Sequence, residues 1–131
     1  MTKNNQHTQK LLSIVSKLRS KDGCPWDKKQ TITSLTSCFK EELGEVLSAI
    51  EQQDYQNLCE ELGDLLYLIL ITTEVCKEEG HFHFDSVVQG ISEKLTRRHP
   101  HVFGKQPYKD EKQLADQWLQ IKAEEKVNKS I

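Results

Sequence analysis

The segment Glu-Glu-Leu-Gly-Glu-Val-Leu at residues 41–47 recurs nearly unchanged at 60–66 as Glu-Glu-Leu-Gly-Asp-Leu-Leu. Each copy carries two acids three residues apart, Glu42 with Glu45 and Glu61 with Asp64. That spacing puts both acids of a pair on one side of a helix. Four acids gathered beside apolar stripes repel each other. The simplest reason to build such a cluster is to hold hard cations, and with them phosphate.

The rest of the chain reads as helical. Leu11, Ile14, Val15 and Leu18 set a helical stripe, which predicts a first helix over 7–20. Residues 21–29, with Gly23, Pro25 and Trp26, read as an ordered loop. A second helix is predicted over 33–52, with Leu35, Phe39, Leu43, Val46 and Ile50 as its stripe. A turn at Asp54 and Tyr55 leads to a third helix over 56–79, stopped by Gly80. Asp85 is placed as the N-cap of a fourth helix that turns Val88, Ile91 and Leu95 inward and ends at Pro100. A loop over 102–109 precedes a fifth helix that starts near Asp110 or Glu111 and carries Leu114, Trp118 and Ile121. The expected fold is therefore an all-α bundle of about five helices around an antiparallel hairpin, in one domain spanning 1–131.

Helix three is apolar nearly all the way round at Leu-Leu-Tyr-Leu-Ile-Leu-Ile, 65–71. Such a helix is buried on more than one side, and a bundle this small covers it poorly. A second copy of the chain is expected to complete the fold as a homodimer or tetramer; the alternative is a central helix in a monomeric bundle.

Composition excludes several classes. Lys and Arg number 18 against 20 acids, so there is no basic footprint for a nucleic-acid polymer. No stretch approaches the roughly 20 apolar residues that cross a bilayer. Residues 1–10 are polar, without a signal-peptide apolar region, and the expected location is the cytoplasm. Cys24, Cys38, Cys59 and Cys76 form no zinc-ligand spacing and are expected as reduced thiols, the last three in small apolar slots.

Counting from Gln53 gives the hairpin register. Glu45 and Glu61 each lie eight residues away, Glu42 and Asp64 eleven. At about 1.5 Å of rise per residue, Glu45 should face Glu61, and Glu42 should face Asp64. Oxygen-only ligands suit Mg²⁺ or Mn²⁺. Neither helix offers the histidine that a bundle-type di-iron site needs. Gly44 and Gly63, at equivalent positions, suggest close backbone approach.

Lys94 and Arg98 are four apart on helix four, as Trp118 and Lys122 are on helix five. Arg98 falls within an apolar stripe and needs an anionic partner, either a protein carboxylate or a phosphate. Trp118 reads as a core anchor or a ligand contact, and Trp26 as a loop plug or a stacking platform for a nucleobase. His99 is expected to cap the end of helix four.

Several segments together resemble the MazG-type nucleotide pyrophosphohydrolases. They are Asp-Gly-Cys-Pro-Trp-Asp at 22–27 followed by Gln30 and Thr31, the two acidic motifs, Gly-Ile-Ser-Glu-Lys-Leu-Thr-Arg-Arg-His-Pro-His-Val-Phe at 90–103, and Trp118-x-x-Ile-Lys122-x-x-Glu-Lys126. The likeness spans about 11–126. It implies an all-α, oligomeric, Mg²⁺-dependent enzyme that cleaves nucleoside triphosphates to monophosphate and pyrophosphate. Carried over residue by residue, it implies Glu42, Glu45, Glu61 and Asp64 as metal ligands and Glu41 as a base or extra ligand. It also implies Lys94, Arg98, Trp118 and Lys122 as substrate and catalytic groups. Longer family members carry two such domains in tandem where this chain carries one, and Gly44 replaces a bulkier residue. A nucleotide-binding module without catalysis, and a pyrophosphatase dedicated to one nucleotide such as dUTP or a phosphoribosyl nucleotide, stay open as alternatives.

Overall fold

The computed structural model describes residues 3–130, and the side chains of 5–129. Of the polar stretch 1–10, residues 1 and 2 lie outside them. Among the described residues there are seven helices and no strand: α1 (Lys3–Leu18), α2 (Pro25–Lys29), α3 (Leu35–Glu51), α4 (Tyr55–Glu78), α5 (Phe84–Arg98), α6 (Pro100–Phe103) and α7 (Glu111–Ser130). The all-α expectation holds. The count exceeds five because α2 falls in a segment read as loop and α6 starts at Pro100, read as the end of helix four, and runs into the loop after it. Each starts with a proline at its first position, where the missing N–H is no loss.

The chain divides into two compact units, 1–84 and 85–131. In the first, α3 and α4 form a hairpin and α1 packs on α4. Val15, Leu35, Leu68, Leu70, Ile71 and Val75 form the core, with Phe39, Tyr67 and Phe84 against it. Ile71 is completely buried.

The hairpin turn is built around Asp54. Its N–H donates to the Ala49 carbonyl at 3.0 Å, closing α3. Its side chain accepts from the Asn57 N–H at 3.2 Å, opening α4. Gln53 between them takes the left-handed conformation with φ 56°. At the far end Gly80 adopts φ 78° and stops α4 as the sequence predicts.

Leu43, Leu47 and Ile50 on α3 are exposed, as are Leu62, Leu66 and Ile69 on α4. The predicted α3 stripe therefore divides, with Leu35 and Val46 buried and Leu43 and Ile50 turned out. The proposed close approach at Gly44 and Gly63 does not occur within the chain. A Cβ at either position would meet open space, because both glycines lie on exposed faces.

The second unit is organised differently. No residue of α5 is buried, and Val88, Ile91 and Leu95 are exposed rather than inward. Asp85 lies in the first turn of α5, not at its cap, because the helix begins at Phe84. Asp110 caps α7 by accepting from the Gln113 N–H at 2.8 Å. All four cysteines are free; Cys76 is buried, whereas Cys59 is exposed and fills no apolar slot. No described helix is long and apolar enough to cross a membrane.

Candidate functional site

The hairpin register brings three of the four predicted acids together. Carboxylate oxygens of Glu42, Glu45 and Glu61 lie within 4.8 Å of one another, as ligands of a metal ion would. Asp64 is exposed and stands outside that set, although its charge still acts on Glu42. Glu41, one residue before the ligand pair, is exposed.

The electrostatics of the cluster are unfavourable as they stand. Glu42 Oε2 and Glu61 Oε2 are buried and have no hydrogen-bond partner. A buried acceptor left unpaired costs its full desolvation. Burial raises the Glu42 carboxyl above its ordinary value, and the charges of Glu45 and Asp64 add to the rise. Glu61 is pushed up to about 7. The largest cause is the adjacent Glu45 carboxylate, with which only a protonated Glu61 can share a hydrogen bond; burial and Glu42 follow. A divalent cation bound there would give the orphaned oxygens a partner and offset the repulsion. Three converging carboxylates with no nitrogen or sulfur donor among them match the preference of hard cations. The residues present therefore fit a metal ion.

Trp26 sits on the segment that joins α1 to α3 and is 53% exposed. This segment is tightly held. A Cβ at Gly23 would fall 2.1 Å from the Leu18 carbonyl oxygen, so only glycine fits that fold-back. Arg19 donates from Nη1 to the carbonyl oxygens of Asp27 and Gln30, at 2.5 and 3.0 Å. Its Nε and Nη2 donate to Glu78 on α4. Asp27 is buried, and its carboxylate accepts from the Tyr67 hydroxyl. Trp26 thus projects from a pinned backbone next to a buried anchor.

The basic and aromatic candidates fall in the second unit. Lys94 is half-buried and Lys122 exposed. Arg98 lies 4.9 Å above the centre of the Trp118 ring. The His99 and Trp118 rings lie 5.3 Å apart, centre to centre, in an edge-to-face arrangement at 71°. His99 Nδ1 is 2.6 Å from the Leu95 carbonyl oxygen, which places it at the α5 terminus as expected. Trp118 is therefore held on two sides.

The anionic partner that Arg98 requires is a protein carboxylate. Glu125 on α7 accepts from Arg98 Nη2 at 2.7 Å and from Nε at 3.2 Å. Its other oxygen accepts from Arg97 Nε at 2.5 Å. Arg98, then burial opposing it, then Arg97 set the balance, which brings the Glu125 carboxyl down to about 2. Sequence reasoning missed Glu125, Arg19 and Tyr67. Glu125 had a signal: it stands seven residues after Trp118 and three after Lys122, on the same helical face. Tyr67 and Asp27 are 40 positions apart, and no local pattern joins them.

Comparison with known proteins identifies the family. Residues 30–103 match the family model described as MazG nucleotide pyrophosphohydrolase domain. The chain is 42% identical over 122 residues to the nucleoside triphosphate pyrophosphohydrolase of Escherichia coli (strain K12), covering 92% of this chain and 46% of that one. It is 43% identical over 121 residues to the nucleoside triphosphate pyrophosphohydrolase/pyrophosphatase MazG of Thermotoga maritima, again covering 92% and 46%. The crystal structure of a mazG-related protein from Thermotoga maritima superimposes with a TM-score of 0.73 at 31% identity, covering 88% of this chain and 98% of that one. The chain spans under half the length of the two pyrophosphohydrolases it matches. By motif, hairpin geometry and similarity alike, it belongs to the MazG nucleotide pyrophosphohydrolase domain family.

Proposed function

We propose that this chain is a Mg²⁺-dependent nucleoside triphosphate pyrophosphohydrolase that releases pyrophosphate and leaves the monophosphate. The observation that carries the reading is the pair of buried, partnerless oxygens, Glu42 Oε2 and Glu61 Oε2, inside a three-carboxylate cluster. Glu42, Glu45 and Glu61 hold the cation, and Asp64 joins them as the fourth acid. Bound there, Mg²⁺ supplies a Lewis acid that offsets charge on phosphate oxygens and makes attacking water more acidic. Glu41 or Glu42 is the candidate to accept the proton of a water that attacks the α-phosphorus. Lys94, Arg98 and Lys122 neutralise oxygens of the triphosphate, whose charge concentrates on the departing pyrophosphate. Trp26 and Trp118 offer flat apolar surfaces for the base.

The working unit on this reading is one domain over 1–131, assembled as a homodimer or tetramer in the cytoplasm. Support for a second copy comes from Leu43, Leu47, Ile50, Leu62, Leu66 and Ile69, which expose an apolar face along the hairpin. Open space over Gly44 and Gly63 leaves room for close packing beside it.

A panel of NTPs and dNTPs incubated with and without Mg²⁺, with pyrophosphate and orthophosphate measured separately, tests the reading. Pyrophosphate as first product, abolished by Glu42→Gln, is the expected result. Orthophosphate as first product would reject it. Nucleotide binding with no product at all would leave a binding module in its place.

A further inference from the structure

Arg98 spends two of its three nitrogens on one carboxylate. Nε and Nη2 both donate to Glu125 Oε1, while Nη1 meets no acceptor among the described residues. The other oxygen of Glu125 is fixed separately by Arg97. The guanidinium also lies over Trp118. Side chains of Arg98 and Glu125 are 12% and 13% exposed, so the pair is shielded, whereas Arg97 is 49% exposed.

Two roles fit a shielded ion pair of this kind. A strut would join α5 to α7 and do nothing else. A positioning device would also determine which way the free edge of the guanidinium points. The contacts favour the second role. A strut needs one donor and one acceptor. Here a carboxylate is anchored on its far side by Arg97, engages the guanidinium along its Nε edge through one oxygen, and leaves the guanidinium carbon over an indole ring. A guanidinium held by two hydrogen bonds on one edge and placed over an aromatic ring has lost much of its rotational freedom. Ordering of that kind aids catalysis when the free edge meets a ligand, because the entropy is lost before binding.

We propose that Glu125 is a positioning residue, which holds Arg98 over the Trp118 ring so that the Nη1 edge is presented to a triphosphate oxygen. This rests on the reading of Arg98 as a phosphate ligand. Glu125 itself touches no substrate and acts through Arg98. Its carboxyl stays ionised at neutral pH because both arginines hold it far below the ordinary carboxylate range.

A double-mutant cycle on the whole chain tests this, with kcat and KM measured for dATP and Mg²⁺ below the unfolding midpoint of every variant. Arg98→Ala is expected to lower kcat/KM about 100-fold and Glu125→Ala about tenfold, with the double variant within about twofold of Arg98→Ala alone. Glu125→Gln keeps the shape and one acceptor oxygen, and should lose only about threefold. It decides the matter if Glu125→Ala does not fold. A loss from Glu125 substitution that is the same with and without Arg98 would overturn the proposal. So would Glu125 variants that shift the thermal midpoint while kcat/KM stays at the wild-type value with Arg98→Ala still impaired; in that case the phosphate reading of Arg98 survives. An active Arg98→Ala would remove the phosphate reading, and the positioning role would fall with it.

Discussion

The two compact units of this chain hold their functional groups by opposite means. The first, 1–84, places carboxylates on a helical hairpin backed by a buried apolar core, with Ile71 fully enclosed. The second, 85–131, has no buried residue on α5 and arranges its groups through the Glu125 ion pairs and the contacts of Trp118. Hydrophobic burial is non-directional and tolerates a repulsive surface beside it. Charged hydrogen bonds are directional and set orientation. On the proposed reading, the core keeps mutually repelling acids together for a cation, while ion pairs aim an arginine that has to point one way.

The largest effect that separates the two means is loss of core volume. Ile71→Ala should destabilise the first unit by about 2–5 kcal/mol, since removing buried methylenes also leaves a cavity. Urea unfolding followed by circular dichroism measures it. A change below about 0.5 kcal/mol, the ordinary surface value, would mean that this core does not hold the hairpin. The corresponding truncation in the second unit, Ile91→Ala, starts from a side chain 48% exposed and should cost much less in the isolated chain. An equal cost at both positions would show that a partner copy buries α5.

Next in size is the acid cluster, where stability and function should move in opposite directions. Glu61→Gln removes one charge from a site where repulsion and unpaired oxygens disfavour folding. Metal-free protein should become more stable by thermal melting, while pyrophosphate release falls about 100-fold or more. Added Mg²⁺ should raise the melting temperature of the wild type and leave that of the variant nearly unchanged. A variant that melts earlier without metal would show that the cluster is a stabilising network instead.

A smaller effect is expected where the first unit borrows the directional strategy. Tyr67→Phe removes the hydroxyl that Asp27 accepts from and leaves a buried carboxylate short of a donor, at a cost of about 1–3 kcal/mol. Acrylamide quenching of tryptophan fluorescence would report whether the Trp26 segment loosens at the same time. Unchanged quenching would assign the anchoring to Arg19 alone.

These contrasts also explain what could be read in advance. The hairpin register was legible because two copies of one motif flank a short turn at equal distance, and helical rise converts that count into height. It brought Glu42, Glu45 and Glu61 together, and Glu61 opposite Glu45 is the pairing expected. Asp64 falls outside the tight set although it is exposed just as Glu45 is and sits at the same step from its partner, so wheel position alone did not separate the two. Apolar residues were legible as stripes but not as buried positions. Val88, Ile91 and Leu95 have the right period and stay exposed, since periodicity identifies a face without naming what covers it. Glu125 was half legible, because an arginine in an apolar stripe demands an anion without saying which. The short helices α2 and α6 were hidden by their prolines, which signal a break and a helix start alike.

The smallest expected effect is a pair of pH dependences of opposite sign. Glu125 has its folded value lowered from 4.5 to about 2, so its contribution is complete above 4.5 and is lost as pH falls towards 2. Glu61 has its folded value raised from 4.5 to about 7, so folded protein holds a proton that the unfolded chain has released between those values. Stability of the metal-free chain should therefore decline as pH rises from 4.5 to 7, where Glu61 is forced to ionise beside Glu45. The two trends together place maximal stability of the EDTA-treated protein near pH 4.5, with a fall of a few degrees in melting temperature on either side. Glu125→Gln should flatten the acid limb only, and Glu61→Gln the neutral limb only. Saturating Mg²⁺ should also erase the neutral limb, because a cation between the carboxylates removes the reason for Glu61 to retain its proton. A neutral limb that survives both Glu61→Gln and Mg²⁺ would have to arise elsewhere, and the difference between the two units would then lie in packing alone.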